Sequence, residues 1–171
     1  QGRPQGSTNR HRREVEWSPY LRFVQETIKR LLQLIGAYVK VMYCVFEGAF
    51  GHHDALQMVR PLGLQMLSKL RHDAALYVPY DGPYAGRGKR KKYGKKLDYR
   101  HIPAAYLTES CVEKDIETKI YQMHLWHKKF ADLLNIVVLV KTNLKTQAIA
   151  HVVLFSSDLK LPYDQLIDYY R

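Results

Sequence analysis

The order of apolar and polar residues predicts alternating helices and strands over the first half of the chain. Residues 18–35 place apolar side chains at helical spacing between Ser18, a candidate N-cap, and Gly36, which predicts an amphipathic helix. The run at 39–46 is β-branched or aromatic and bounded by glycines, which predicts a strand in the interior of a sheet. A second helix and two more short strands are predicted at 54–60, 64–69 and 75–79. This order indicates an α/β layer.

The second half of the chain has a strand-rich pattern. Three strands are predicted at 117–126, 136–142 and 148–155. The connector at 143–147 has the length of a hairpin loop, so the last two strands should form an antiparallel hairpin. We expect this hairpin at 136–155 to be a separate β-rich unit next to the basic loop. A helix should begin near Pro162, and the chain stops at Arg171 without a C-terminal cap, so we expect a fragment of a longer protein.

The charge of the chain points to a polyanionic partner. The sequence has 171 residues, enough for one domain, and 27 Lys and Arg residues against 16 Asp and Glu give a formal net charge of +11. Nucleic acid is the first expectation and an anionic membrane surface the second. No apolar run has the length of a membrane span, and the N-terminus lacks the apolar core of a signal peptide. We therefore expect a cytoplasmic protein.

Two segments are densely basic. Residues 1–16 are rich in Gly, Pro, Ser and Asn and should form a flexible tether or, alternatively, an arm that contacts DNA. Residues 81–100 form a glycine-rich loop in which no packed element is expected, and Tyr93 can stack on a base or sugar. The cations predicted to contact phosphates are Arg87, Lys89, Arg90, Lys91, Lys92, Lys95 and Lys96. A solvated loop and a targeting signal are the alternatives.

A single carboxylate, Glu47, follows the apolar run at 39–46. Ligands and catalytic groups collect at the carboxyl ends of strands in α/β sheets, so Glu47 is a candidate site residue. The alternative is a strand-end carboxylate that caps the next helix. The adjacent His52 and His53 predict no metal site, because neighbouring histidines in a loop usually point apart.

Four segments, in their order, resemble bacterial insertion-sequence transposases of the DDE superfamily, in the subgroup with a Tyr-Arg-Glu-Lys signature. These segments are Phe46–Arg60, Gly63–Tyr77, the hairpin strands at 136–155, and Pro162–Arg171. They include Glu-Gly-Ala-Phe after the first strand and Ser-Lys-Leu-Arg in the second. The resemblance implies an α/β fold with a ribonuclease-H-like mixed sheet and a β-rich insertion before the last catalytic helix.

Composition and the resemblance together predict a division of the chain into five segments. They are a basic flexible arm at 1–16, a ribonuclease-H-like core segment at 17–80, the basic loop at 81–100, a β-rich insertion at 101–160, and the start of a truncated catalytic helix at 161–171.

The activity implied by the resemblance is DNA strand cleavage and transfer at transposon ends. In this family two Asp and one Glu hold two Mg²⁺ ions, and Glu47 stands at the position of the second Asp as a catalytic residue and metal ligand. Lys69, Arg71 and Tyr170 are implied to contact DNA, and the protein is implied to associate with the nucleoid. The first Asp would precede Gln1 and the last Glu would follow Arg171, so we expect this chain to be inactive alone. For the parent enzyme, a homodimer is one option. The alternative is a non-catalytic basic module that binds DNA or RNA.

Overall fold

The computed structural model describes residues 13–84, 86 and 88–171. The helices in this part of the chain are α1 (Pro19–Ile35), α2 (His53–Val59) and α3 (Tyr163–Tyr170). The strands are β1 (Tyr43–Val45), β2 (Gln65–Leu70), β3 (Leu76–Pro79), β4 (Tyr93–Lys96), β5 (Leu107–Glu113), β6 (Ile116–His127), β7 (Leu133–Asn143) and β8 (Ile149–Ser156). Among the described helices, none is long and apolar enough to cross a membrane.

All eight strands belong to one open sheet. Its order is β1-β2-β8-β7-β6-β3-β4, and β5 pairs with β6 beside this path. The strands β1 and β2 are parallel, and the other pairs are antiparallel. The prediction of an α/β fold with a mixed sheet is therefore confirmed, and this sheet is compatible with a ribonuclease-H-like fold.

The core lies on both faces of the sheet. On one face α1 and α2 pack against the central strands, with Leu56 and Met58 of α2 fully enclosed. On the other face Leu166 and Ile167 of α3 pack against alternate residues of the same strands. Because β-strand side chains alternate between faces, the central strands must be apolar on both sides. The run at 136–140 in β7 meets that requirement.

Three expectations about the sheet are wrong. The strand β1 lies at the edge of the described sheet, because β2 pairs with β1 on one side and with β8 on the other. The hairpin of β7 and β8 is not a separate unit, because β8 pairs directly with β2 from Leu67↔Ser156 to Leu70↔Val153. The basic loop does contain a packed element, β4, which pairs with β3. How the five predicted segments divide into domains remains a prediction.

The sequence pattern misplaced these strands for physical reasons. Residues in and next to β1, such as Cys44 and Val41, are apolar because they pack on the core. A short strand can make these contacts at the edge of a sheet as well as in its interior. Lysines in β4 are tolerated because an edge strand exposes one side to water. The strand β5 has no apolar alternation, since every one of its residues is exposed.

Candidate functional site

The backbone at Glu47 is held against β2 by two hydrogen bonds. The amide of Phe46 donates to the carbonyl oxygen of Leu67 at 2.9 Å, which extends the pairing of β1 beyond Val45. The hydroxyl of Ser68, a fully buried side chain, donates to the carbonyl oxygen of Glu47 at 2.9 Å. Glu47 therefore leaves the sheet at a fixed point, as expected for a residue at the carboxyl end of a strand.

A glycine allows the chain to return across β2 directly after Glu47. A Cβ atom at Gly51 would lie 2.1 Å from the carbonyl oxygen of Lys69, whereas one at Gly48 would have its nearest neighbour at 3.5 Å. The first distance is far inside van der Waals contact and the second is ordinary. The close approach therefore requires glycine at 51 and not at 48. This crossing sets the position of the loop that carries Glu47.

The carboxylate of Glu47 does not act as a helix cap. Glu47 precedes a 3-10 turn, Gly48–Phe50, and its side chain makes no capping hydrogen bond there. The helix α2 is capped by His52, whose Nδ1 accepts a hydrogen bond from the amide of Ala55 at 3.3 Å. The helix-cap alternative for Glu47 is therefore wrong, and its exposed side chain is available for another role.

Glu47 lines an open cleft of about 480 Å³, which we call the Glu47 cleft. Its lining residues come from separate parts of the chain and are Glu47, Gly48, Lys69, Leu70, Arg71, His72, His151 and Tyr170. The fold thus brings Lys69, Arg71 and Tyr170 to the same cleft as Glu47. Their contact with DNA remains a prediction. The cleft combines one carboxylate with a lysine and an arginine.

The helix α3 positions Tyr170 in this cleft. Its buried residues Leu166 and Ile167 pack on the sheet, and the ring of Tyr169 lies 5.4 Å from the ring of Tyr43, measured between centroids. Partial burial and, to a smaller extent, the negative charge of Glu47 raise the pKa of Tyr170. The phenol is therefore a hydrogen-bond donor at neutral and moderately alkaline pH.

Two histidines of the cleft were missed by the sequence analysis. The Nε2 atom of His151 lies 2.7 Å from the carbonyl oxygen of His72, 79 residues away in the sequence. The ring of His151 also stacks on Tyr99 with 4.7 Å between centroids, and the Tyr99 hydroxyl donates to the carbonyl oxygen of Ala74 at 2.7 Å. No local signal indicates these contacts, because only the pairing of β8 with β2 brings the two histidines together.

The cleft does not by itself fit a two-Mg²⁺ centre. Magnesium requires a near-octahedral shell of oxygen ligands. In the part of the chain that the structure describes, no group of three or more His, Cys, Asp or Glu side chains could hold a metal ion. The charged lining of the cleft places Lys69 and Arg71 with Glu47, and these cations oppose a divalent ion. Glu47 can therefore supply one ligand of such a centre, and the described residues supply no complete site.

A second charged region lies at the other edge of the sheet. We call residues 89–96, which include β4, the basic edge. Five of its cations are exposed: Lys89, Arg90, Lys91, Lys95 and Lys96. The sixth, Lys92, is half-buried. Arg87, predicted to belong to the same surface, lies outside the described residues. Phosphate binding by these cations remains a prediction.

Lys92 and Tyr93 also make contacts inside the protein. The Nζ atom of Lys92 lies 3.4 Å from the ring centroid of Trp126 and donates to the carbonyl oxygen of Ala131 at 3.0 Å. The ring of Tyr93 packs edge-on against Tyr77 and Trp126, with centroid distances of 5.6 and 6.4 Å. These contacts attach β4 to β3 and β6, so both residues have a structural role whatever they bind.

The Glu47 cleft and the basic edge are separated by the width of the sheet. Five strands lie between β1 and β4 in the sheet order. At a spacing of about 4.8 Å between strands, this corresponds to roughly 29 Å along the sheet. A ligand that contacts both regions must therefore be long, as a DNA duplex is.

Comparison with known families identifies the superfamily of the chain. A family model described as DDE superfamily endonuclease matches residues 1–131, which is more than half of the chain. The chain therefore belongs to this family, and the assignment to the DDE superfamily is confirmed. Endonucleases of this superfamily act on DNA and generally depend on a divalent metal. A search of curated proteins gave no match.

Proposed function

We propose that this chain belongs to the catalytic domain of a transposase, which cuts and joins DNA strands at transposon ends. The supporting observation is the Glu47 cleft, where a strand-end carboxylate meets two cations and a phenol in a member of the DDE family. Glu47 is the proposed metal ligand and catalytic residue. The other proposed members of this site, Lys69, Arg71 and Tyr170, contact the DNA backbone.

The cationic residues of the cleft are suited to a phosphodiester. Lys69 offers a mobile ammonium group, and Arg71 offers a planar guanidinium that can bind a phosphate through two N–H groups. Arg71 already donates from Nε and Nη2 to the two carboxylate oxygens of Asp73 at 3.1 and 3.2 Å. This pairing orients the guanidinium and leaves other N–H groups for a phosphate. Tyr170 can add one neutral hydrogen bond.

Several finer features belong to this proposal. The bacterial insertion-sequence subgroup with the Tyr-Arg-Glu-Lys signature is the proposed origin, Mg²⁺ is the proposed metal, and a homodimer is the proposed assembly of the parent enzyme. The proposed location is the cytoplasm, in association with the nucleoid. Since one carboxylate cannot hold two Mg²⁺ ions, we propose that this chain alone does not cleave DNA.

A cleavage assay tests the role of Glu47. The chain is compared with a longer protein that also includes the residues encoded directly before and after it in the gene. Both are incubated with DNA that carries the transposon ends, with and without Mg²⁺. We expect cleavage by the lengthened form alone, its loss in Glu47→Ala, and a faster rate in Glu47→Asp, because the family position carries the shorter side chain. Glu113→Ala, which removes another exposed glutamate at a strand end, is the control. Equal cleavage by all Glu47 variants would contradict the proposal.

A non-catalytic module that binds nucleic acid is the second candidate function. It is favoured by the basic edge, where five exposed cations lie on one short segment far from Glu47. This function predicts binding without cleavage in every form of the protein, including the lengthened one. The same assay, with DNA affinity measured in parallel, therefore separates the two candidates.

A further inference from the structure

The turn that joins β2 to β3, residues 71–74, carries Arg71 into the Glu47 cleft, and we call it the Arg71 turn. The amide of Ala74 donates to the carbonyl oxygen of Arg71 at 3.0 Å, which closes a β-turn. This bond uses the carbonyl of the first residue. It leaves the carbonyls of His72 and Ala74 for partners outside the turn.

Two ring side chains from other parts of the fold bind this turn. The Nε2 atom of His151, on β8, lies 2.7 Å from the carbonyl oxygen of His72. The hydroxyl of Tyr99, which lies between β4 and β5, donates to the carbonyl oxygen of Ala74, also at 2.7 Å. Because a carbonyl oxygen only accepts hydrogen bonds, Nε2 of His151 carries a proton in this contact. The turn is therefore held at its second and its fourth residue.

The two donors also hold each other, and we call Tyr99 and His151 the stacked pair. Their rings stack with 4.7 Å between centroids and 14° between planes. Burial, with the negative charge of Asp73 second, raises the pKa of Tyr99, so the phenol keeps its proton and its hydrogen bond. Stacking limits the rotation of both rings, so each hydrogen bond to the turn supports the other.

The stacked pair holds the part of the turn that orients Arg71. The guanidinium of Arg71 donates to the two carboxylate oxygens of Asp73, the third residue of the same turn. The side chains of Arg71 and Asp73 are 83% and 56% exposed, so burial in the core does not hold them. An exposed ion pair of this kind is weak by itself. The position of the guanidinium therefore depends on the backbone that His151 and Tyr99 fix.

We propose that Tyr99 and His151 are positioning residues for DNA, which fix the Arg71 turn so that the guanidinium of Arg71 meets a phosphate in the Glu47 cleft. A guanidinium that is already held loses less conformational entropy when it binds a phosphate through two N–H groups. The inference rests on the proposed function in taking Arg71 as a DNA contact. The stacked pair itself acts through Arg71 and contributes no separate contact with DNA.

A double-mutant cycle on duplex affinity tests this inference. The parent, Arg71→Gln, His151→Leu and the double variant are compared by fluorescence anisotropy on a short duplex of random sequence. We expect Arg71→Gln to weaken binding by about threefold to tenfold, and His151→Leu by nearly as much. The double variant should bind no more weakly than Arg71→Gln alone. Losses that multiply would overturn the proposal, because His151 would then act independently of Arg71.

Two further variants separate positioning from a general loss of stability. His124→Leu removes a similar contact, in which Nε2 of His124 lies 2.8 Å from the carbonyl oxygen of Leu159, and it should leave duplex affinity unchanged. His151→Gln keeps an N–H donor on a side chain of similar length and should restore most of the affinity that His151→Leu loses. Equal losses in His124→Leu and His151→Leu, or no recovery in His151→Gln, would overturn the proposal.

The variant Tyr99→Phe keeps the test valid if His151→Leu does not fold, as judged by its thermal melt. It removes one hydroxyl group and keeps the aromatic ring and the charge of the protein. The slope of log affinity against log salt concentration should nevertheless become less steep, by up to about 0.9, because Arg71 loses its phosphate contact. An unchanged slope would overturn the proposal.

The single variant Arg71→Gln distinguishes a failure of this inference from a failure of the proposed function. If Arg71→Gln weakens binding and the losses in the cycle multiply, the stacked pair has no positioning role and the DNA contact of Arg71 stands. If Arg71→Gln binds as tightly as the parent, that DNA contact is wrong and the inference falls with it. The role of Glu47 is tested separately, by cleavage.

Discussion

The two charged regions of this protein are built in opposite ways. The Glu47 cleft gathers side chains from four distant parts of the chain, and contacts at Ser68 and Gly51 fix the backbone of the loop that carries Glu47. The basic edge takes its cations from one continuous run, attached to the sheet through Tyr93 and Trp126. The cleft thus depends on the fold, whereas the charge of the edge is already present in the sequence. We expect chemistry at the first and affinity at the second.

The largest expected effect concerns DNA affinity. Replacing the five exposed cations of the basic edge by Gln should weaken duplex binding about a hundredfold or more. The slope of log affinity against log salt concentration should become less steep by about 0.9 for each phosphate contact that is lost. The cations replaced are Lys89, Arg90, Lys91, Lys95 and Lys96. The measurement is fluorescence anisotropy across a salt series.

The control for this variant replaces as many exposed cations elsewhere. They are Lys29, Arg30, Lys114, Lys145 and Lys160. If both variants lose the same affinity, the net charge of the chain and not the basic edge determines binding, and the comparison between the two regions fails.

The next effect concerns the loop that carries Glu47. Gly51→Ala places a Cβ atom 2.1 Å from a backbone oxygen of β2, so the loop must shift. We expect the free energy of unfolding to fall by about 3 kcal/mol. Gly48→Ala, in the same loop but with ordinary contacts, should cost less than about 1 kcal/mol. Urea denaturation of both variants measures the difference, and equal stabilities would show that the loop does not cross β2 as described.

A smaller effect is expected at the attachment of β4. Lys92→Met removes the contact with Trp126 and the hydrogen bond to Ala131, and should lower the free energy of unfolding by about 1–2 kcal/mol. Lys95→Met, which replaces an exposed lysine of β4, should change stability by less than about 0.5 kcal/mol. Thermal melts of the two variants measure this difference in stability. A Lys92→Met protein as stable as the parent would assign Lys92 to ligand binding alone.

The smallest effect concerns alkaline pH. A hydrogen bond to Asp158, with burial second, raises the pKa of Tyr43 to about 12. Because the folded pKa exceeds the unfolded value near 10, this contribution to stability is complete below pH 10 and is lost as pH rises toward 12. The difference in unfolding free energy between the parent and Tyr43→Phe should therefore shrink over this interval. A constant difference would contradict the hydrogen bond, which also links β1 to the segment after β8.

Local patterns in the sequence predicted the parts of this fold that depend on neighbouring residues. The helix α1 begins as its pattern indicates, with the Ser18 hydroxyl accepting from the amide of Leu21, and β7 and β8 form the expected hairpin. The order of strands in the sheet cannot be predicted from local patterns, because it depends on which strands pair when distant parts of the chain come together. The edge position of β1 and the pairing of β8 with β2 therefore lay beyond the pattern.

In the candidate site, too, local sequence patterns predicted some residues, and others depend on the folded structure. Charge density identified the basic loop directly, whereas Lys69, Arg71 and Tyr170 were found through a family resemblance. His151 was not found, because its position beside His72 exists only after strands distant in sequence have paired. The hydrogen bond from Arg13 to Asp132, 119 residues away in the sequence, is likewise a product of the fold.

The central claim is that the Glu47 cleft performs the chemistry and the basic edge holds the DNA. The most direct measurement determines duplex affinity and the single-turnover cleavage rate at saturating DNA, side by side, in the lengthened protein. The account predicts that Glu47→Ala abolishes cleavage with affinity unchanged, and that the five-glutamine variant of the basic edge loses affinity yet cleaves at the parent rate once saturated. A cleavage rate that survives in Glu47→Ala, or that falls at saturation in the basic-edge variant, would contradict this division of roles.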